Sequence, residues 1–217
     1  SDLLFFTSRG RVFKLKAYEV PQASRTAKGQ AIVNFLQLAP TERVNAILPM
    51  ADLMKYKNLV MATTHGLIKK TSIDQFANIR SNGLIAIKLK EDDTLSWIKP
   101  STGKDEIMVV TQSGQAIRFK EKDVRQMGRT AAGVKAIKLK GDDLIAGMGV
   151  ISGDLRKGFV ITVMKNGFGK RTPLSQYRLQ SRAGSGIKTA KITPKTGNII
   201  FARIIEAETK SDLMIIS

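Results

Sequence analysis

The chain has 217 residues, with 36 Lys and Arg against 18 Asp and Glu, a net charge of +18, and 42% hydrophobic residues. That apolar content excludes a disordered basic tail, and a charge this large calls for a polyanionic partner, nucleic acid before an anionic membrane surface. The absence of cysteine excludes disulfides and thiolate metal sites, and no apolar run is long enough to span a membrane.

The opening SDLLFFTSRGR has neither the basic n-region nor the cleavage pattern of a signal peptide, so a soluble intracellular protein is expected. Its apolar β-rich run ends at a turn glycine, Gly10, a hairpin signal. Lys14 stands four residues on, Arg25 leads to a second glycine at Gly29, and the strand QAIVNFLQL and a last apolar strand, VNAILPM, follow. The second unit repeats this grammar with LVMATTHG, Gly66, Lys70, Arg80, Gly83, LIAIKLK and TLSWIKP. The third has IMVVTQSG, Gly114, Arg118, Arg129, Gly133, VKAIKLK and LIAGMGVI, and the fourth VITVMKNG, Gly167, Arg171, Arg182, Gly186, IKTAKI and IIFARII. The first glycines are separated by 56, 48 and 53 residues. The closing SDLMIIS echoes the opening and is expected to begin a further unit.

Periods near 50 residues with about four strands each indicate propeller-like blades. The expected architecture is all-β, with blades over 1–50, 57–104, 105–157 and 158–210, residues 211–217 opening another, and linkers at 51–57 and 152–158. Within Gly133–Lys140, alternation places Ile137 and Leu139 on one face and Ala136, Lys138 and Lys140 on the other. Repeating that strand in each blade sets cations at regular steps around a disc, an arrangement that suits a long polyanion bending around it. The expected contacts are Lys14, Arg25, Lys28, Lys69, Lys70, Arg80, Lys88, Lys90, Arg118, Lys120, Arg129, Lys135, Lys138, Lys140, Lys170, Arg171, Arg182, Lys188 and Lys191.

Catalytic constellations are lacking. His65 is the only histidine and sits in a hairpin turn, so a histidine triad or multi-histidine metal site is impossible. The doublets Asp92–Asp93 and Asp142–Asp143 occupy equivalent turns, where carboxylates bond local backbone; no metal or cofactor is expected. GFGKRT lacks the ending of a phosphate-binding loop, and Tyr18, Tyr56 and Tyr177 have no acidic cluster in sequence beside them. Trp97 reads as blade packing. Aromatics at 6% are not interleaved with the basic residues, which argues against a single-strand stacking platform.

The segments SRGRVFKLKAYEVPQASRTAKGQAIVNFLQL, DEIMVVTQSGQAIRFKEKDVRQMGRTAAGVKAIKL and NGFGKRTPLSQYRLQSRAGSGIK resemble blades of the C-terminal domain of the bacterial DNA gyrase A protein. The resemblance implies a β-pinwheel, a propeller-like disc whose neighbouring blades exchange strands. It further implies a non-catalytic module of an ATP-dependent topoisomerase that wraps duplex DNA to support negative supercoiling. Its partners would be DNA, the rest of the gyrase A protein and the gyrase B protein, in the bacterial cytoplasm at the nucleoid and away from membranes. The family's signature heptapeptide, glutamine-arginine-arginine-glycine-glycine-lysine-glycine, is absent, and QSRAGSG and ASRTAKG are degenerate counterparts. That absence leaves the equivalent domain of topoisomerase IV as an alternative, although VPQASRTAKGQAIVN favours gyrase. A propeller that binds acidic proteins through one flat face is the alternative from a different class.

Overall fold

The computed structural model describes residues 2–208; the echo at 211–217 lies outside the described residues. In chain order the strands are β1 (Asp2–Thr7), β2 (Arg11–Lys16), β3 (Val44–Pro49), β4 (Asn58–Thr63), β5 (Leu67–Ser72), β6 (Leu84–Ile85), β7 (Leu95–Ser101), β8 (Glu106–Thr111), β9 (Gln115–Lys120), β10 (Val134–Lys135), β11 (Ile145–Ile151), β12 (Phe159–Met164), β13 (Gly169–Pro173), β14 (Ile187–Lys188) and β15 (Ile199–Ile205). The expected linkers hold a single α-helical turn at Met50–Leu53 and a 3₁₀ segment at Gly153–Lys157.

Four antiparallel sheets form, ordered β3-β1-β2-β6, β10-β5-β4-β7, β11-β8-β9-β14 and β13-β12-β15. Each hairpin keeps to its own unit, but the short strand after the second glycine pairs with the sheet before: β6 with β2, β10 with β5 and β14 with β9. Strands are therefore exchanged between neighbours. At the other end of each sheet, β3 contacts β7, β7 contacts β11 and β11 contacts β15. These strands crowd the inside of the array, which leaves the crossing strands on the outer edge.

Exchange explains the unbroken apolar runs. The inner central strands, β4 and β8, lie between two neighbouring sheets and are buried on both faces. Along β4, Leu59 and Met61 pack with Leu4 and Phe6 of the first unit, whereas Val60 and Ala62 pack with Ile107 and Val109 of the third. Along β8, Met108 and Val110 turn to Val160 and Leu174 of the fourth. The core is thus divided among the joints between sheets. Each fully buried Leu, Ile or Phe side chain contributes about 1.5–3 kcal/mol there.

The turn glycines close the joints. The carbonyl of Gly10 accepts from Ala86 N–H at 2.8 Å, that of Gly66 from Ala136 at 2.8 Å, and that of Gly114 from Thr189 at 2.8 Å. Gly114 has φ +86°, and a Cβ there would collide with the carbonyl oxygen of Ala190, so no larger residue fits the approach. Only Val134 and Lys135 of the third crossing segment pair as strand, with Ile68 and Leu67. The expected alternation fails after them: Ala136 and Ile137 are consecutive and both buried, because the chain leaves the sheet and enters the joint.

Four of the expected nucleic-acid contacts are parts of this machinery, and for the three most enclosed, Lys69, Lys70 and Arg118, the expectation is corrected. Lys70, fully paired, donates from Nζ to Glu121 O at 3.2 Å and lies 3.6 Å from the buried Glu121 carboxylate. That carboxylate also accepts from Ser101 Oγ (2.8 Å), Asn58 Nδ2 (3.3 Å), Gly103 N (2.9 Å) and Asp105 N (3.2 Å). Arg118 pairs with Glu106 at 2.6 Å and donates to Leu174 O (2.8 Å) and Tyr177 O (3.1 Å) of the next unit. The equivalent Lys14 donates to Ala77 O at 3.2 Å. The basic residue four positions after each of these three turn glycines is therefore a strut to the turn of the following unit. Lys69 is the third correction. It is wholly buried, where the equivalent Phe13 and Ile117 are apolar, and its ammonium donates to the carbonyls of Ala86 (2.7 Å), Arg129 (2.5 Å) and Ala131 (3.2 Å). Burial first, and the Arg129 charge second, pull its pKa down to about 8.

Arg118→Ala leaves Glu106 with only the more distant Arg156, at 3.9 Å, and leaves two carbonyls unpaired, so the denaturation midpoint should fall, by about 2–4 kcal/mol in stability, with the denaturant slope unchanged. Lys69 gives a pH signature. Between about pH 8 and its ordinary value of 10.5 the unfolded chain holds a proton that the folded chain has released, so stability contributed at this site rises with pH. Denaturation of wild type and Lys69→Met at pH 7.5 and 10 should show the wild type gaining relative to the variant; an unchanged difference would contradict the assignment.

Candidate nucleic-acid interface

The remaining basic residues sort by exposure. Lys88, Lys90, Lys135, Lys138, Lys140, Lys188 and Lys191 are all exposed, on or just after the crossing strands of three consecutive units. Their spacing has a backbone cause. Lys88 N–H donates to Ala131 O at 3.2 Å and Lys138 N–H to Gly184 O at 2.9 Å, so each crossing segment is bonded to the arginine turn of the next unit. The crossing segments therefore run on from one another along the outer edges of the sheets, and the lysines face solvent at each step.

The arginine turns lie beside them. Arg80 is exposed and Arg129 half-buried. Arg182 is more constrained, donating from Nε to Asp123 O at 3.1 Å and from Nη1 to Lys135 O. Arg25 and Lys28 are exposed in the long connection of the first unit. Lys120 is exposed at the end of β9, and Lys170 and Arg171 are exposed on β13, where the Arg171 guanidinium sits 4.5 Å from the centre of the Phe159 ring. Lys14 is half-buried, 3.9 Å from Asp2.

Arg125 and Arg178 were absent from the expected set and are both exposed. Each precedes the turn arginine of its unit by four residues, Arg129 and Arg182, and this shared offset is the sequence signal that would have found them.

Several carboxylates point the other way. Glu42, Asp93 and Glu121 have side chains that are almost wholly enclosed, and Glu106 is mostly so. Asp93 accepts from His65 N–H (3.0 Å) and Thr94 N–H (2.8 Å), and Asp143 accepts from Ser113 N–H (2.9 Å) and Leu144 N–H (2.9 Å). The second aspartate of each doublet thus ties a hairpin turn to a neighbouring strand of its own unit. Among the described residues no group of three His, Cys, Asp or Glu could hold a metal, and no helix is long and apolar enough to cross a membrane. Tyr177 is buried with its hydroxyl 2.5 Å from Thr189 Oγ1, and Trp97 packs against the joint between the second and third sheets.

Comparison with known proteins agrees with this architecture. The sequence profile described as DNA gyrase C-terminal domain, beta-propeller, matches residues 1–49, 57–102, 105–152 and 159–206. The DNA gyrase A protein of Staphylococcus epidermidis (strain ATCC 12228 / FDA PCI 1200) is 44% identical over 216 residues, 99% of this chain and 24% of that protein. The Klebsiella oxytoca gyrase A protein is 41% identical over 215 residues, again 99% of this chain and 24% of the relative. The chain thus spans about a quarter of the length of these curated relatives. Among solved structures, the C-terminal domain of DNA topoisomerase IV superposes with a TM-score of 0.85 at 26% identity, covering 94% of this chain and 64% of that one. The DNA gyrase A C-terminal domain gives 0.78 at 25% identity, covering 94% and 66%. Both topoisomerase types share the fold, but identities of 41–44% over almost the whole chain are with gyrase A proteins. With all four units inside the matched ranges, the chain belongs to the DNA gyrase C-terminal domain family of β-propellers.

Proposed function

We propose that this chain binds duplex DNA without sequence preference and bends it around the outer edges of its sheets, as the wrapping element of a gyrase. The observation that carries this reading is the unbroken succession of crossing segments bearing Lys88, Lys90, Lys135, Lys138, Lys140, Lys188 and Lys191. Lysine heads held at repeated positions neutralise phosphates and carry no base readout. Placement on successive sheet edges, not on one flat face, favours DNA over an acidic protein. A duplex can follow several sheets only by curving. Bending 20–30 base pairs by 40–90° costs on the order of 1–6 kcal/mol, which several charge-assisted phosphate contacts can offset. By family membership the cleavage and ATPase chemistry would reside in the rest of the gyrase A protein and in the gyrase B protein, and this module would supply the wrapped DNA. It needs no cofactor for that role.

Binding to a random-sequence duplex, followed by fluorescence anisotropy from 50 to 300 mM salt, should give a slope of log K against log salt of about −4 to −7, the value for five to eight neutralised phosphates. Lys138→Ala and Lys188→Ala should each reduce the slope by about one and leave thermal stability within about 0.5 kcal/mol. A slope near zero, or a strong preference for one sequence, would contradict the reading.

A further inference from the structure

One cleft differs from the rest of this surface. It has a volume of about 480 Å³, and its wall is built by three consecutive units. Lys14 comes from the first, Asn78, Arg80 and Asn82 from the second, and Arg129 from the third. No carboxylate lines it. The Arg80 and Arg129 guanidinium groups have no hydrogen-bond or ion-pair partner among the described residues.

The joints explain why no acid closely pairs the cations here. At the equivalent place in the next two units the strut cation is occupied by an acid, Lys70 by Glu121 at 3.6 Å and Arg118 by Glu106 at 2.6 Å. Lys14 donates to Ala77 O at 3.2 Å, but the acid nearest it, Asp2, is 3.9 Å away and is engaged by Lys16 at 2.7 Å. Arg129 is also held in place from behind. Its N–H donates to Gln75 Oε1 at 3.2 Å, and its carbonyl accepts from the buried Lys69. Two asparagine amides beside three cations, with no acid among them, give this cleft a donor set that suits an oxyanion. They would supply neutral donors next to charged ones, so part of the recognition is insensitive to salt.

We propose that this cleft is an anchor for one phosphodiester group of the bound duplex, with Arg80 and Arg129 sharing that phosphate and Asn82 donating to it. The track is then uneven: one preorganised phosphate site between the first and second sheets, and individually weaker lysine contacts along the rest. Lys69 and Gln75 are its positioning residues. This inference rests on the DNA-binding reading above, and its test separates the two.

A double-variant salt titration on a 40-base-pair duplex tests it. Two cations on one phosphate count as one neutralised phosphate. Arg80→Ala and Arg129→Ala combined should therefore lower the salt slope by about one, whereas Arg80→Ala combined with the remote Lys188→Ala should lower it by about two. Asn82→Ala should weaken binding about threefold with the slope unchanged, because a neutral donor is lost. Arg129→Gln, which preserves the stem, provides a second variant if Arg129→Ala unfolds. If the Arg80 and Arg129 effects on the slope add to about two, the shared anchor is overturned while DNA binding stands. If the wild-type slope is itself near zero, the DNA-binding reading fails first.

Discussion

The hydrogen bond from the crossing segment of one unit to the turn-glycine carbonyl of the unit before it governs the rest of this molecule. It is formed at Gly10, Gly66 and Gly114 by the amides of Ala86, Ala136 and Thr189, all at 2.8 Å. Because it links one repeat to the preceding one, none of the three four-stranded sheets is completed by its own residues. Each four-stranded sheet borrows its outermost strand, the apolar side chains are divided among the joints, and the central strands become apolar on both faces. The same bond fixes where the basic segments go. A strand that must reach the far edge of its neighbour carries its lysines to the periphery, and the step from unit to unit sets their spacing.

Charge is sorted along the same lines. A chain with a net charge of +18 would repel itself in any compact state, and part of the solution is internal. Glu121 and Glu106 are drawn into the joints to neutralise struts, and Asp93 and Asp143 are turned onto backbone N–H groups. These acids stabilise the scaffold but do nothing to screen the lysines outside. What remains on the outer edges is a surplus of unpaired cations that a polyanion would neutralise on binding. The basic residues that hold the scaffold are therefore a different set from those left on the outer edges, although both sets occur at repeated positions.

That division was only partly visible in the sequence. Turn glycines, apolar hairpin runs and the repeat near 50 residues are local features, and they led directly to four antiparallel sheets. The lysines of LIAIKLK, VKAIKLK and IKTAKI were also placed on the surface, although for a reason that fails in detail. Alternation should have turned Ala136 outward, but the segment leaves the sheet after Lys135, so Ala136 and Ile137 enter the joint together while Lys138 still reaches solvent. Lys69, Lys70 and Arg118 were misplaced for a deeper cause. Their partners, Ala131, Glu121 and Tyr177, lie 62, 51 and 59 residues away in the next unit. A cation repeated at turn plus four looks the same whether it faces solvent or a carbonyl of the neighbouring repeat. Only the strand exchange decides between them, and the exchange is not a local property. The cleft holding Lys14, Arg80 and Arg129 is invisible in sequence for the same reason, since it draws on three units.

A duplex bound along the outer lysines of several units, as proposed, would have to curve with them. The most direct measurement is energy transfer between dyes at the two ends of duplexes of about 20, 40 and 60 base pairs at saturating protein. Because the persistence length of DNA is about 150 base pairs, each free duplex behaves as a nearly straight rod. The account predicts that bound ends approach one another, weakly at the shortest length and strongly at the longer ones, with affinity rising until the outer edges are filled. End-to-end distances that stay at the straight-rod value in the bound state would show a basic surface that holds DNA without bending it, and would contradict the account.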